Sequence, residues 1–229
     1  MQTLIIVARR PLAGATKTRL CPPLDGETAA ALYECFLRDT LLNARRVPGV
    51  QPVIIYTPED AGSYFAELAP DFQARPQHGA DLGHRLAHAF DEALAVAETR
   101  AVAIGTDSPD LPHRYISGAF ALLAGGADLV LGPADDGGYY LIGLRRPQPR
   151  LFHEVPMSTA SVLKDTLTLA RELGLRSELL PPWYDIDTHS DLRRFQANVE
   201  RGDASIAPNT RAFLAQSRFL GQVMPNSGK

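Results

Sequence analysis

The chain has 229 residues, 45% of them hydrophobic and 21% charged, the balance of an ordinary globular protein. Its 23 basic and 26 acidic residues leave a net charge of −3, which excludes a general nucleic-acid binder, a class that carries a basic excess. No run approaches the roughly 18 apolar residues of a membrane span.

Two cysteines, Cys21 and Cys35, make neither a disulfide framework nor a C-x-x-C pair for a thiolate zinc site. The apolar run at residues 4–8 is too short for a secretion signal, and Arg9 and Arg10 follow it rather than precede it. These features predict a cytoplasmic, reduced protein that forms one domain over residues 1–229, with 224–229 as a frayed tail.

In chain order, residues 4–8 read as a strand buried on both faces. A loop over 9–24 follows. Ala30, Tyr33, Leu37, Leu41 and Ala44 then recur at helical spacing, and Pro48-Gly49 stops that helix. Residues 53–56 form a second strand, 60–68 a short helix and 72–75 a weak strand. Leu82, Leu86, Ala89, Phe90, Ala93 and Ala97 make the next helical stripe. Strand 101–104 leads through a turn at 107–112, capped by Asp110, into a helix carrying Ile116, Ala119, Phe120 and Leu123. Residues 128–131 form another strand. Strand and helix alternate to this point, the grammar of a mostly parallel sheet covered by helices. Strand 139–144 has no helix before it and is expected to run antiparallel. A helix over 158–173 starts at a Ser158 or Thr159 cap and stops at Gly174. A short strand at 177–180, a helix capped by Thr188 and a last helix at 208–218 complete the chain.

Ligands of such sheets bind beyond the carboxyl ends of the strands, so the segment after each strand is informative. The first is Arg9-Arg10-Pro11-Leu12-Ala13-Gly14-Ala15-Thr16-Lys17-Thr18-Arg19. Four cations in the loop of an acidic protein suit a phosphate or diphosphate. The alternative is a solvated basic loop. It is not a Walker loop, because Thr16 stands where glycine is needed, and no G-x-G-x-x-G occurs. After the third strong strand, Asp107 is placed to hold Mg²⁺ or Mn²⁺, or else to cap the helix that starts near Pro112. Asp136, with Gly137 and Gly138, follows the next strand; it reads as a bare turn or as a carboxylate beside a close backbone approach. Asp185 and Asp187 alternate toward one side, and either can complete a metal site, although Asp187 can equally cap a helix. His84 and His88 share a helix face without H-E-x-x-H, and Cys35 reads as core.

The ordered set Ala13-Gly14-Ala15-Thr16-Lys17-Thr18-Arg19-Leu20, Asp81-Leu82-Gly83, Gly105-Thr106-Asp107-Ser108-Pro109, Asp136-Gly137-Gly138-Tyr139-Tyr140-Leu141-Ile142-Gly143-Leu144, Ser158-Thr159 and Asp185-Ile186-Asp187-Thr188 resembles the radical-SAM/selenodomain-associated transferase 1 family. That is a bacterial glycosyltransferase family linked to arsenosugar biosynthesis. More distantly the set is similar to 2-phospho-lactate guanylyltransferases and related nucleotidyltransferases. The resemblance implies the GT-A, or nucleotide-diphospho-sugar transferase, fold: α/β, with a mostly parallel mixed sheet flanked by helices. One departure is that Asp107 and Asp110 do not form the D-x-D of many GT-A metal sites.

The resulting expectation is a metal-dependent glycosyltransferase that uses a nucleotide-sugar donor and a small-molecule acceptor. Arg9, Lys17, Thr18, Arg19, Gly137 and Gly138 would bind phosphate or nucleotide. Asp107 and Asp187 would hold Mg²⁺ or Mn²⁺, and Lys17 and Asp136 would be catalytic, Asp136 as acceptor base. Two alternatives stand beside it. One is a nucleotidyltransferase in which a phosphorylated or acidic acceptor attacks a nucleoside triphosphate and releases pyrophosphate. The other is a non-catalytic nucleotide-binding protein. Phe213, Leu214, Phe219 and Leu220 can pack on the domain or on a second subunit of a homodimer.

Overall fold

A computed structural model describes residues 1–200 and 202–215. The described chain divides into two compact units. The first comprises Met1–Arg10, Ala44–Gly105 and Pro112–Tyr184; the second comprises Pro11–Asn43, Thr106–Leu111 and Asp185 onward.

The first unit carries a seven-stranded sheet: β1 (Gln2–Arg9), β2 (Gln51–Thr57), β3 (Gln73–Pro76), β4 (Arg100–Ile104), β5 (Leu129–Pro133), β6 (Tyr139–Leu144) and β7 (Ser177–Leu179). The spatial order is β3-β2-β1-β4-β6-β5-β7. All neighbours are parallel except β6, which runs antiparallel to both β4 and β5. The missing helix before β6 forces this, since a short turn returns the chain in the opposite direction. The central strands are apolar on both faces because both faces are covered. Ile5, Val53, Ile55, Ala103, Leu131 and Ile142 pack with α3 (Leu82–Ala93), α5 (Arg150–His153) and α6 (Val162–Glu172). Within that layer Phe90 stacks on Phe152 with ring centroids 5.4 Å apart. On the other face, Val102 and Val130 enclose Gly143 together with Leu123 of α4 (His113–Ala124). Each such side chain contributes roughly 1.5–3 kcal/mol when fully buried. Helix α2 (Gly62–Leu68) lies beside β2 and β3.

The second unit holds most of α1 (Gly26–Arg45), α7 (His189–Glu200) and α8 (Pro208–Leu214). Asp25 begins α1 by accepting the Thr28 amide at 2.7 Å. Thr188 begins α7 in a reciprocal cap: its own amide donates to Asp191 at 2.8 Å, and the Asp191 amide donates back to its hydroxyl at 3.4 Å. The cap expected of Thr188 is therefore made, and Asp187 is left for other work.

Several expected boundaries move. Asp110 does not cap α4; Pro112 stands there without a side-chain cap. The helix after residue 158 begins at Val162, with Ser161 rather than Ser158 or Thr159 at its head. The third helical stripe ends at Ala93, short of Ala97. Residues 185–188 follow no strand: an isolated bridge between Ala134 and Trp183 ends the pairing. The four residues of α5 carry too little periodicity to be foreseen. The last helix closes at Leu214; the remainder of the expected 208–218 span, Phe219, Leu220 and the 224–229 tail lie outside the described residues.

Gly137 has φ +88°, and a Cβ there would fall on the Ala160 carbonyl. Both the backbone and the neighbour resist a side chain. Gly174, at φ +67°, has open space around its Cβ position and meets only the backbone penalty. Gly137→Ala is expected to lose about 2–3 kcal/mol in urea unfolding and Gly174→Ala about 1 kcal/mol. Equal losses would show that the Ala160 contact does not matter.

Candidate active site

The loop after β1 is built by its own residues. The Leu12 amide donates to the Thr16 hydroxyl at 3.0 Å, and the Ala15 and Thr16 amides donate to the Leu12 carbonyl at 3.1 Å. This fold drives Lys17 into the left-handed region, φ 51° and ψ 40°, a conformation that costs a non-glycine residue roughly 1–2 kcal/mol. The Lys17 ammonium offsets that cost. It donates to the Ile186 carbonyl at 2.7 Å and to Asp187 Oδ1 at 2.8 Å, and it pairs with Asp107 Oδ1 at 2.6 Å. Those contacts use all three of its protons. The Lys17 side chain is 6% exposed, whereas Asp107 and Asp187 are 44% and 40% exposed. Burial pulls its pKa down, but the two carboxylates outweigh burial and hold it above the usual lysine value. Arg19 stands outside this cluster, 78% exposed, with Nη1 3.7 Å from Asp187. Thr18 is exposed beside it.

Asp107 is held in place from several sides. Tyr33 Oη of α1 bonds the Thr106 hydroxyl at 2.6 Å, and Asn43 Nδ2 donates to the carbonyls of Pro109 and Leu111 at 3.1 and 3.2 Å. The Ile186 amide donates to the Asp107 carbonyl at 2.9 Å. Ser108 Oγ donates to Asp185 Oδ1 at 2.6 Å. Thus the segments of Asp107, Asp185 and Asp187 are tied backbone to backbone and side chain to side chain. Tyr33 reads in the sequence only as part of a helical stripe, Ser108 only as part of the motif around Asp107, and Asn43 carries no signal at all.

Burial pushes the Asp185 carboxyl up to about 6. The charges of Asp107 and Asp187 push the same way, against the Ser108 bond and Lys17. Because the folded value lies above the unfolded one of about 3.9, its contribution to stability is complete below pH 4 and is lost as pH rises through 6. Asp185→Asn keeps the acceptor for Ser108 and removes the charge. In chelator, that variant is expected to exceed the parent by roughly 1–3 kcal/mol at pH 7.5 and to match it more closely near pH 4.5. A gap that does not change with pH would contradict the assignment.

The other expected site residues belong to the sheet unit. Arg9 is exposed at the end of β1. Asp136 is exposed and accepts the Gly138 amide at 2.8 Å, closing its own turn. The close approach at Gly137 is to Ala160, a contact within the protein. Asp81 caps α3, accepting the His84 amide at 2.9 Å, and the His84 ring stacks on His153 at 4.8 Å. Cys35 is half-buried in α1; burial, then the nearby acids Asp39 and Glu34, raise its thiol to about 11, which disfavours the nucleophilic thiolate.

With this geometry established, similarity to other proteins defines the class. A crystal structure of a candidate nucleotide-diphospho-sugar transferase from Desulfovibrio desulfuricans G20 superposes with a TM-score of 0.88 at 32% identity, covering 97% of this chain and 96% of that one. A 4-diphosphocytidyl-2C-methyl-D-erythritol synthase shares the fold at TM-score 0.56 and 13% identity, over 86% of this chain and 96% of that one. A cytidylyltransferase from Leptospira borgpetersenii does so at 0.54 and 13%, over 100% and 98%. The protein therefore has the GT-A-like fold and is a transferase of the nucleotide-diphospho-sugar and nucleotidyltransferase superfamily. The chain belongs to the family described as "Uncharacterized protein conserved in bacteria (DUF2064)", which matches residues 40–159. A phosphoenolpyruvate guanylyltransferase of Mycolicibacterium paratuberculosis is 33% identical over 121 residues, 51% of this chain and 54% of that protein; the chain thus spans about half the length of this curated relative. These relatives correct the narrower resemblance drawn from the motifs. The chain falls in the GT-A-like nucleotide-diphospho-sugar and nucleotidyltransferase superfamily, and the relatives support neither a radical-SAM association nor an arsenosugar pathway. Among the described residues no helix is long and apolar enough to cross a membrane.

Proposed function

We propose that this chain, acting as a single transferase domain over residues 1–229, is a nucleotidyltransferase that activates a small phosphorylated or acidic acceptor with a nucleoside triphosphate. The observation that carries the reading is the buried Lys17 ammonium locked between Asp107 and Asp187. A fixed cation beside two half-exposed carboxylates suits a polyphosphate chain and its counter-ion. The guanylyltransferase relative supports the donor and acceptor class: its named acceptor is both phosphorylated and acidic.

Mg²⁺ or Mn²⁺ fits this donor set. Such ions take one or two carboxylates from a protein and complete their shell with water and substrate phosphate. Asp107 and Asp187, 44% and 40% exposed, offer two such carboxylates. When bound, the ion would neutralise charge developing on the leaving pyrophosphate. Lys17 would give its charge to the phosphate oxygens, and Thr18 and the exposed Arg19 would close on them from solvent. An oxygen of the acceptor's phosphate or carboxylate attacks the α-phosphorus. The new P–O bond forms as the bond to the β-phosphate bridge breaks, and the electron pair leaves with pyrophosphate. That acceptor oxygen carries no proton at neutral pH, so the reaction needs no general base. The role expected of Asp136 then has no proton to act on, and the reading assigns no step to Arg9, Asp136, Gly137 or Gly138.

Sugar transfer from a nucleotide sugar is the second reading, favoured by the name of the Desulfovibrio relative. Titration calorimetry separates the two. With Mn²⁺ present, GTP or another triphosphate is expected to bind at least ~10-fold more tightly than any nucleotide sugar, and Asp107→Asn is expected to lose that preference. Tighter binding of a nucleotide sugar would favour the second reading.

A further inference from the structure

The two carboxylates assigned to a divalent ion already hold a cation of the chain's own. The Lys17 ammonium lies 2.6 Å from Asp107 Oδ1 and 2.8 Å from Asp187 Oδ1, and it donates to the Ile186 carbonyl at 2.7 Å. The ring of Phe36, which has no exposed surface, stands 5.8 Å from the ammonium. Lys17 is thus enclosed by its partners, whereas both carboxylates also face solvent. Arg19 is a second cation near Asp187, 3.7 Å from its Oδ2, but it stands at the surface.

A cation in this position acts on a metal ion and on a polyphosphate with opposite signs. The two carboxylates and the ammonium together carry a net charge of −1. An ion that arrives alone therefore meets half the charge the carboxylates would offer without Lys17. The ammonium also repels it, and a buried charge is poorly screened by water and salt. A polyphosphate reverses the balance, because it brings several negative charges and draws on the ammonium and the ion together. Such coupling is reciprocal: the ion gains affinity from the polyphosphate by the factor that the polyphosphate gains from the ion.

We infer that Lys17 makes divalent-ion binding conditional on the nucleotide: Asp107 and Asp187 bind Mg²⁺ or Mn²⁺ weakly by themselves and firmly only beside a polyphosphate. Lys17 then has two opposed effects, as an antagonist of the free ion and as a ligand of the phosphate chain. The inference rests on the proposed assignment of this cluster to a polyphosphate and its ion. It does not depend on whether that polyphosphate belongs to a triphosphate or to a nucleotide sugar.

The test measures Mn²⁺ alone on the whole chain, by the paramagnetic resonance of the free ion, and then GTP and nucleotide sugars by calorimetry with and without Mn²⁺. Lys17→Met and Lys17→Gln are expected to bind Mn²⁺ alone ~10-fold or more tightly than the parent. Adding Asp107→Asn to either is expected to abolish the gain. The same two variants are expected to bind metal-free GTP ~10-fold or more weakly. Arg19→Gln removes a screened surface charge and is expected to change Mn²⁺ affinity by less than ~3-fold. Unchanged or weaker Mn²⁺ binding in both Lys17 variants would overturn the inference, and so would an equal gain in Arg19→Gln. The parent decides if the Lys17 variants do not fold: a Kd for Mn²⁺ alone above about 0.1 mM supports the inference, and a tighter one overturns it. Tighter Mn²⁺ binding in the variants, with the parent binding nucleotide sugars but no triphosphate, would retire the nucleotidyltransferase reading and leave the inference standing. No binding of either class of nucleotide to the parent would overturn both.

Discussion

Lys17→Met is expected to lower turnover by about 10²- to 10³-fold, the scale for removing one preorganised charge from a reacting oxyanion. The larger part should appear in kcat, because charge on the leaving pyrophosphate is greatest in the transition state. The ammonium is already positioned: its side chain is 6% exposed and its three protons are all directed. With no proton left over, it acts on arriving phosphate oxygens through its charge, from a fixed position between the two carboxylates. Lys17→Arg is not a rescue, since a guanidinium is wider and planar and cannot place three protons on Ile186, Asp187 and Asp107 as an ammonium does. Steady-state kinetics with saturating Mn²⁺ checks both variants. Parent-like kcat in Lys17→Met would remove the cluster from the chemistry.

The largest stability effect is expected from Asp39, which is 1% exposed in α1. Its carboxylate accepts from the Asn209 amide at 3.0 Å and from Asn209 Nδ2 at 2.7 Å. It also accepts from the Thr210 amide at 2.8 Å and from the Thr210 hydroxyl at 2.7 Å. Helix α8 starts at Pro208 after Ala207, which has no side chain to cap it, so Asp39 serves as a cap supplied from another helix. Asp39→Ala would leave those donors buried without an acceptor. A loss of about 3–5 kcal/mol is expected, or roughly 6–20 °C in Tm for a domain of this size. Hydrogen exchange over residues 208–214 should rise first. A Tm within a degree or two of the parent would show that α8 is held by its apolar contacts alone.

The contrast between these two residues shows what the sequence could reveal. Lys17 was visible because it sits in a cation-rich loop directly after a buried strand, where α/β proteins bind ligands. Asp107 was visible for the same reason. The strands were legible because burial on both faces leaves continuous β-branched runs, as at residues 4–8 and 101–104. Asp39 gave no signal: its partners lie 170 residues away, and a lone acid within a helical stripe reads as a solvated position. The Ser108–Asp185 bond and the Tyr33 and Asn43 anchors are equally long-range. Gly137 was expected to let the backbone approach a substrate; the group that crowds it is the Ala160 carbonyl of the protein itself, a contact between loops that sequence proximity does not reveal. Motif strings identified the GT-A-like fold well and the pathway poorly, because a fold carries many chemistries.

Pyrophosphate release tests the central claim most directly. The protein would be given Mn²⁺, each nucleoside triphosphate in turn and a panel of small phosphorylated and carboxylated acceptors, beginning with GTP and phosphoenolpyruvate. Pyrophosphate formed only when acceptor is present, in amounts equal to the nucleotidylated acceptor and reduced about 10²-fold or more in Lys17→Met and Asp107→Asn, is the result this account predicts. Acceptor-dependent release of a nucleoside diphosphate from a nucleotide sugar, with no pyrophosphate from any triphosphate, would contradict it.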